Sequence, residues 1–364
     1  MKRIAILLPG PRREPVGGYK VLYQYGDHLA LNGVRVDFIY LTNSLVCNDR
    51  FSGIKGRVKK LIFLSFFSPG WFSFRSKDIY HKITDYLNED VLRYYDRIIC
   101  SSVETFIYLS EKTCFQRNKI IYFVQDYEYW NVKVDKLNET LSHKDIVYMT
   151  ISDDLCHKIS KAGGTVSLVL YNGINKKDFY SYIEWESRPN SSFLFLYHPN
   201  TRKGCEVLLH GLCEVNKINA NAKFSCFSAY PKPKNFPSFI NYYYRPKLGE
   251  LNKLYNRHRF FICSSEYEGF GLTPAEAAFA GEIVLSTKNG GVEQYIQHGK
   301  NGFLIPEKNS DAFVQIINAM IEHEPYLAEF SKVSSKSIAS MLNLDLNFHK
   351  LLSFLNDEAY HKEY

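Results

Sequence analysis

The sequence predicts an α/β protein of two doubly wound, parallel-sheet domains, and three observations carry that expectation. Short apolar runs alternate with helix-length amphipathic segments along most of the chain, which is the alternation that builds strand-helix-strand units. The length, 364 residues, suits two domains of about 150 to 180 residues. The alternation breaks once, over the polar stretch NGINKKDFYSYIEWESRPNSS at 172–192, and a fresh strand follows it.

In the first half the strand candidates are Arg3 to Leu8, Val34 to Tyr40, Arg97 to Ser101, Ile120 to Val124, Val147 to Ile151 and Val166 to Leu170, with a helix expected over Tyr19 to Asn32. The second half repeats the pattern through Phe193 to Tyr197, Phe224 to Ser228, Asn241 to Tyr244, Phe260 to Cys263 and Ile283 to Ser286. Helices are expected there near 204–216, 273–280 and 310–322. The domains divide as 1–175 and 176–338. A tail over 339–364 carries helical apolar spacing at Met341, Leu344, Phe348, Leu351, Leu352 and Leu355.

Hydrophobic residues make up 45% and charged residues 23%, a globular profile rather than a disordered one. The net charge of +7 is spread along the chain, so it argues little for nucleic acid and suits an anionic small substrate or membrane surface equally. Eight cysteines include no CxxC pair and read as reduced thiols. The apolar run before Pro9 is too short for a signal-peptide core, and no stretch has the roughly 18 apolar residues of a spanning helix. A cytoplasmic protein is expected.

The stretch from Glu266 to Pro306, EYEGFGLTPAEAAFAGEIVLSTKNGGVEQYIQHGKNGFLIP, bears the most chemistry. A strand ends in a glycine-flanked loop that opens a helix. Gly269 and Gly271 let backbone approach a ligand closely, and the amides at the helix start favour an anion such as a diphosphate. Thr273, Pro274 and Glu276 stand where an N-cap, a first-turn proline and a third-position carboxylate belong, so Glu276 completes a capping box on one reading. On the other it reaches past bound phosphates to the hydroxyls of a ribose or sugar.

Two glutamates with seven residues between them around a Gly-rich turn, Glu268 and Glu276, together with the following GGVEQYIQHGKNGFLIP block, resemble the retaining GT-B glycosyltransferases of family four. The resemblance implies two Rossmann-like domains facing a central cleft, with the C-terminal helix crossing back to the first domain. It implies that Glu268 contacts the donor sugar, Glu276 binds the ribose, and the amides of Phe270, Gly271, Leu272 and Thr273 hold the phosphates of a nucleotide diphosphate sugar. Lys203, with Gly204 opening a helix in YHPNTRKGCEVLL, resembles the family's diphosphate-binding lysine. His198 stands five residues before it, where the family usually has arginine; Arg202 either helps bind phosphate or is a solvated surface residue.

In the first domain Gly17 and Gly18 fall in the loop after the first strand, at the ligand-facing carboxyl end, and the resemblance sets them against donor phosphates and acceptor. YFVQDYEYW puts Gln125, Asp126 and Glu128 just past another strand. Asp126 either binds acceptor hydroxyls or assists proton transfer, or it makes a turn, and the QDYE sequence looks like a rhamnosyltransferase subset. In ISDDL and YNGIN the favoured roles are a helix N-cap at Ser152 or Asp153 and a turn at Asn172 and Gly173. The aromatic, basic run KGRVKKLIFLSFFSPGWFSFRSK at 55–77 either lies on a membrane surface near a lipid-linked acceptor or packs as a loop on its own domain.

No metal-binding DxD or zinc spacing appears, so no bound metal is expected; the resemblance implies a hexosyl- or deoxyhexosyltransferase acting with retention. The expected acceptor is a glycan or lipid-linked saccharide, in surface polysaccharide synthesis. Lys203, Glu268 and Asp126 are the catalytic candidates, and no cofactor beyond the co-substrate is expected. The competing readings are a non-catalytic nucleotide-sugar or glycan binding module, a nucleotide-sugar epimerase and a glycogen-type phosphorylase.

Overall fold

The computed structural model describes residues 2–42, 69–111 and 117–357. The chain divides into two compact units, Met1–Tyr171 with Leu346–Tyr364, and Asn172–Asp345.

The first unit runs β1 (Arg3–Leu8), α1 (Gly17–Leu31), β2 (Arg35–Leu41), β3 (Ile79–Thr84), α2 (Glu89–Arg93), β4 (Arg97–Cys100), α3 (Val103–Ser110), β5 (Ile120–Val124), α4 (Val134–Thr140), β6 (Val147–Thr150), α5 (Asp153–Ala162) and β7 (Val166–Val169). Its described strands form one parallel sheet in the order β3-β2-β1-β4-β5-β6-β7, a doubly wound arrangement whose order reverses between β1 and β4. Helices cover both faces of such a sheet, which is why β1 and β5 are apolar without alternation and fully buried from Ile4 to Leu8 and from Ile120 to Val124. Helix α1 lies so close to β2 that a Cβ on Gly26 would stand 2.5 Å from the Phe38 ring. Ser152 caps α5, accepting from the Leu155 amide at 3.3 Å.

Of the aromatic run at 55–77, residues 55–68 lie outside the described residues. In the rest, Trp71, Phe72 and Phe74 set their rings 5.2–5.4 Å from that of Tyr23 on α1. Asp27 binds the Arg75 side chain at 2.6 Å and accepts the amides of Arg75 and Ser76. For 69–77 the packing against its own unit is thus the observed arrangement. No helix among the described residues is long and apolar enough to cross a membrane.

The second unit runs β8 (Ser192–Leu196), α6 (Cys205–Ile218), β9 (Lys223–Ser228), β10 (Ile240–Tyr244), α7 (Leu248–Asn256), β11 (Phe260–Cys263), α8 (Leu272–Phe279), β12 (Ile283–Thr287), β13 (Phe303–Ile305), α9 (Ser310–Glu322) and α10 (Leu327–Met341). The parallel order is β10-β9-β8-β11-β12-β13, so the reversal falls between β8 and β11. Phe193, Phe224 and Phe260 stack across three neighbouring strands, with centroids 4.8 and 5.4 Å apart, at the centre of an apolar core that includes Leu208, Leu212, Phe313 and Ile317. Burial of charge is offset by pairing: Arg259 meets Glu324 at 3.0 Å, each side chain under a tenth exposed, and Glu324 also accepts from the Ser191 amide and hydroxyl.

The last helix, α11 (Leu344–Asn356), packs with the first unit. The Phe348 ring lies 4.9 Å from that of His28 on α1, and Asn347 donates to the Tyr171 carbonyl at 2.9 Å. The six described cysteines are free thiols; Cys47 and Cys114 lie outside the described residues.

Candidate functional site on the second sheet

Ligands of doubly wound sheets bind beyond the carboxyl ends of the strands where the order reverses. In the second unit those strands are β8 and β11. The segment after β8 carries His198, Arg202 and Lys203, and the segment after β11 carries Ser265, Glu268 and the Gly269–Gly271 turn. The two segments touch. Gly204 adopts φ +61°, and a Cβ there would stand 2.0 Å from the Ser264 carbonyl oxygen, so only glycine permits the approach. The Ser264 hydroxyl donates to the Lys203 carbonyl at 2.7 Å, and the Glu266 amide to that of Arg202 at 2.8 Å.

That closeness sets the Lys203 ammonium 2.6 Å from Glu268 Oε1. The Ser265 hydroxyl donates to the same oxygen at 2.6 Å. Both charged side chains are largely withdrawn from water, at 23% and 16% exposure, where a charge-assisted bond is stronger than on the surface. The pair is further fixed by the Glu268 amide, which donates to the Asn289 carbonyl at 3.0 Å.

Two helices open onto this place, α6 behind Gly204 and α8 behind Gly271. Each has a glycine N-cap in the left-handed region, at φ +61° and +82°, which brings no capping side chain of its own. The two segments joined by the Lys203–Glu268 pair thus lead into two helix N-termini, whose dipoles and first-turn amides suit an anion. Phe270 is buried against Tyr295 at 5.2 Å, and the Tyr295 hydroxyl holds the Gly271 carbonyl at 2.6 Å.

The expected N-cap at Thr273 is corrected. Gly271 turns the chain into α8 two residues earlier, which leaves Thr273 and Pro274 inside the helix and Glu276 beyond its first turn. Glu276 completes no capping box. Its Oε2 instead accepts from the Tyr255 hydroxyl of α7 at 3.1 Å, and the residue is only 4% exposed. Burial first, and the Glu276 carboxylate second, hold the Tyr255 phenol well above its usual range, so it remains a donor.

His198 Nδ1 accepts from the Asn200 amide at 3.0 Å, which assigns the proton to Nε2. Burial, and then the Lys203 charge, lower its pKa; the imidazole is a neutral donor where the resemblance expects a permanent cation. Arg202, half-buried, follows Asn200, whose side chain accepts the Arg202 amide at 3.0 Å. The downstream block is largely scaffold. A Cβ on Gly291 would stand 2.6 Å from the Glu268 carbonyl and the Phe270 amide. Glu293 accepts the Gly290 amide at 2.6 Å, and Asn301 bridges the Gln297 amide and the Tyr295 carbonyl.

The first-unit candidates form a separate group. Gly17 and Gly18 are not in the loop but make the first turn of α1, because the chain enters the helix directly after Val16. Gly18 faces Gln125, whose side chain would lie 3.5 Å from an added Cβ. Asp126 Oδ1 accepts the Tyr127 amide at 2.8 Å. Glu128 accepts the Val103 amide of α3 at 2.7 Å, and burial raises its pKa to about 8. Among the described residues no group of three His, Cys, Asp or Glu side chains could hold a metal ion.

Residues 240–337, which span α7, the Gly269–Gly271 turn, α8 and most of α10, match the family described as glycosyl transferases group 1. Among curated relatives, an uncharacterized glycosyltransferase of Methanocaldococcus jannaschii is 25% identical over 184 residues, 48% of this chain and 50% of its own length. The GtfA subunit of the UDP-N-acetylglucosamine–peptide N-acetylglucosaminyltransferase of Streptococcus agalactiae is 24% identical over 182 residues, 48% of this chain and 35% of its own length. The chain spans about half the length of the archaeal relatives it matches. Among solved structures, Anabaena HepE in complex with UDP and glucose is similar at a TM-score of 0.72 with 14% identity, covering 98% of this chain and 100% of that one. Sucrose-phosphate synthase of Thermosynechococcus elongatus is similar at 0.75, again with 14% identity, over 97% and 98%. These likenesses show the fold, an α/β protein of two parallel-sheet Rossmann-like domains of the GT-B class.

Proposed function

We propose that this protein is a glycosyltransferase that transfers a sugar from a nucleoside diphosphate donor bound at the carboxyl edge of the second sheet. One observation carries the reading: Lys203 pairs with the half-buried Glu268 between the segments that lead from β8 through Gly204 into α6 and from β11 through Gly271 into α8, the helix that carries the buried Glu276. The ammonium of Lys203 and the amides behind Gly204 and Gly271 suit a diphosphate. Glu276, steadied by Tyr255, suits ribose hydroxyls, and Glu268 suits the hydroxyls of the donor sugar. His198 Nε2–H and Arg202 supply further donors to phosphate oxygen.

In the proposed reaction the bond from the anomeric carbon to the β-phosphate oxygen breaks, and a bond from the acceptor oxygen to the same carbon forms. The acceptor proton passes to the departing phosphate on the same face, which retains configuration. Charge growing on that phosphate is met by Lys203, Arg202 and the helix amides, so we propose a reaction without a metal requirement. The carboxyl edge of the first sheet, with Gln125, Asp126 and the start of α1 at Gly17 and Gly18, is proposed for the acceptor, a glycan or lipid-linked saccharide of a surface polysaccharide. The QDYE sequence supports a deoxyhexose such as rhamnose as the transferred sugar.

Incubation with UDP-, GDP- and dTDP-sugars, with and without glycan acceptors, tests this. Nucleoside diphosphate release coupled to a new glycosidic product is expected. Nucleotide binding without turnover on any donor would replace it with a non-catalytic binding module.

A further inference from the structure

We infer that Glu268 makes the site discriminate between the sugar-bearing donor and the spent nucleoside diphosphate, because its carboxylate and a diphosphate compete for the single ammonium of Lys203. The inference rests on the proposed placement of the diphosphate beside Lys203.

The geometry makes the competition hard to avoid. Lys203 and Glu268 are held 2.6 Å apart by backbone that has little freedom. Gly204 is pressed against the Ser264 carbonyl, Ser264 binds the Lys203 carbonyl, and the Glu268 amide is tied to Asn289. The strand ends cannot part to give each anion its own share of space. A diphosphate that reaches the ammonium therefore comes within a few ångströms of a carboxylate, in surroundings poor in water, and like charges there repel strongly.

What the incoming ligand offers Glu268 in return decides the balance. A free nucleoside diphosphate offers only more negative charge, which leaves the carboxylate with the Ser265 hydroxyl at 2.6 Å. A sugar ester brings hydroxyl donors to the same carboxylate and replaces what the ammonium withdrew. The site thus favours the donor before transfer and loosens its hold on the product afterwards, when the sugar that satisfied Glu268 has left.

Isothermal titration of the purified protein with UDP, GDP and dTDP and with their glucose esters, at one ionic strength and without acceptor, tests the inference. In Glu268→Gln the nucleoside diphosphate that binds wild type is expected to bind about fivefold tighter. Its glucose ester should gain little, so that the preference for ester over free diphosphate falls by nearly the same factor, about fivefold. Adding Lys203→Met should abolish the gain, since the two residues act as a pair. Ser265→Ala keeps both charges and leaves Glu268 more dependent on Lys203; it should weaken diphosphate binding by about twofold, and so reads the same effect with opposite sign should Glu268→Gln fold poorly. Unchanged or weaker diphosphate binding in Glu268→Gln, equal tightening of diphosphate and ester, or a gain that survives Lys203→Met would each overturn the inference while leaving the site in place. Failure of the wild type to bind any of the three diphosphates would overturn the proposed site itself.

Discussion

The hydroxyl of Tyr255 donates to the carboxylate of Glu276 across 3.1 Å, joining α7 to α8 in a buried contact beneath the proposed nucleotide site. Twenty-one residues separate the two in sequence. The bond fixes which way a buried carboxylate points, and that orientation is what a ribose would read.

Tyr255→Phe should accordingly weaken donor binding more than it slows turnover. A rise in the donor KM of about tenfold, with kcat little changed, is the expected result of losing one hydrogen bond to a charged group. Glu276→Gln should be more severe, lowering kcat/KM by about 100-fold. Steady-state kinetics over a range of donor concentrations separates the two effects. Equal kcat losses in both variants would remove the positioning role of Tyr255.

Lys203→Ala should lower turnover by about 100-fold, as expected for loss of a cation facing a charged leaving group. Single-turnover measurements at saturating donor would show the loss in the chemical step. A wild-type rate would disconnect Lys203 from the reaction.

Gly204→Ala tests whether the close approach of the two strand ends matters. The new methyl would be driven onto the Ser264 carbonyl, at a backbone angle that alanine resists. A shift of about 1 Å in Lys203 can cost on the order of 100-fold in rate. Activity should fall by that scale while thermal melting moves only modestly, and retention of full activity would show that the loops tolerate separation.

Glu324→Ala should be a stability variant rather than an activity variant. Its carboxylate is the buried partner of Arg259 and also receives the Ser191 amide, and removing one member of such a pair costs about 3–5 kcal/mol. Urea unfolding would reveal it. The pair of the exposed Lys308 with the half-buried Glu266, on the same measurement, should contribute no more than about 1 kcal/mol.

Acid should destabilise the first unit through His81. Burial lowers the pKa of this imidazole to about 4, and Tyr40 lies 2.9 Å from its Nδ1. The unfolded chain takes up the proton near pH 6.5. The folded pKa is thus depressed, and the contribution is complete above about pH 6.5 and declines as pH falls toward 4, by about 3 kcal/mol in all. His81→Gln should flatten the dependence of the urea midpoint on pH over that window. An unchanged slope would rule the residue out as its source.

The alternating apolar runs located nearly all of the parallel strands, because strands covered on both faces need continuous apolar stretches, as in Ile4–Leu8 or Phe260–Cys263. Two strands escaped. In β3 the sequence IYHKIT mixes exposed and half-buried positions, as an edge strand does, and β13 is only Phe303–Ile305. The meeting of Glu268 with Lys203 is suggested by the resemblance of their separate motifs but not by any spacing, since 65 residues divide them and only the strand order brings them together. Tyr255 gave no local signal: within ELNKLYN it reads as one more apolar position on an amphipathic helix. The capping-box reading of Glu276 failed for a local reason, the left-handed turn at Gly271, which sequence alone does not reveal.

The placement of α11 has a practical corollary. The backbone passes from one unit to the other after Tyr171 and returns after Asp345, so a single cut cannot yield the amino-terminal half intact. A fragment ending at Tyr171 would lack Phe348, Leu351 and Leu355, bare the surface of α1 around His28, and invite aggregation. Recombining it with a separate peptide spanning 344–356 would be the way to recover a soluble half.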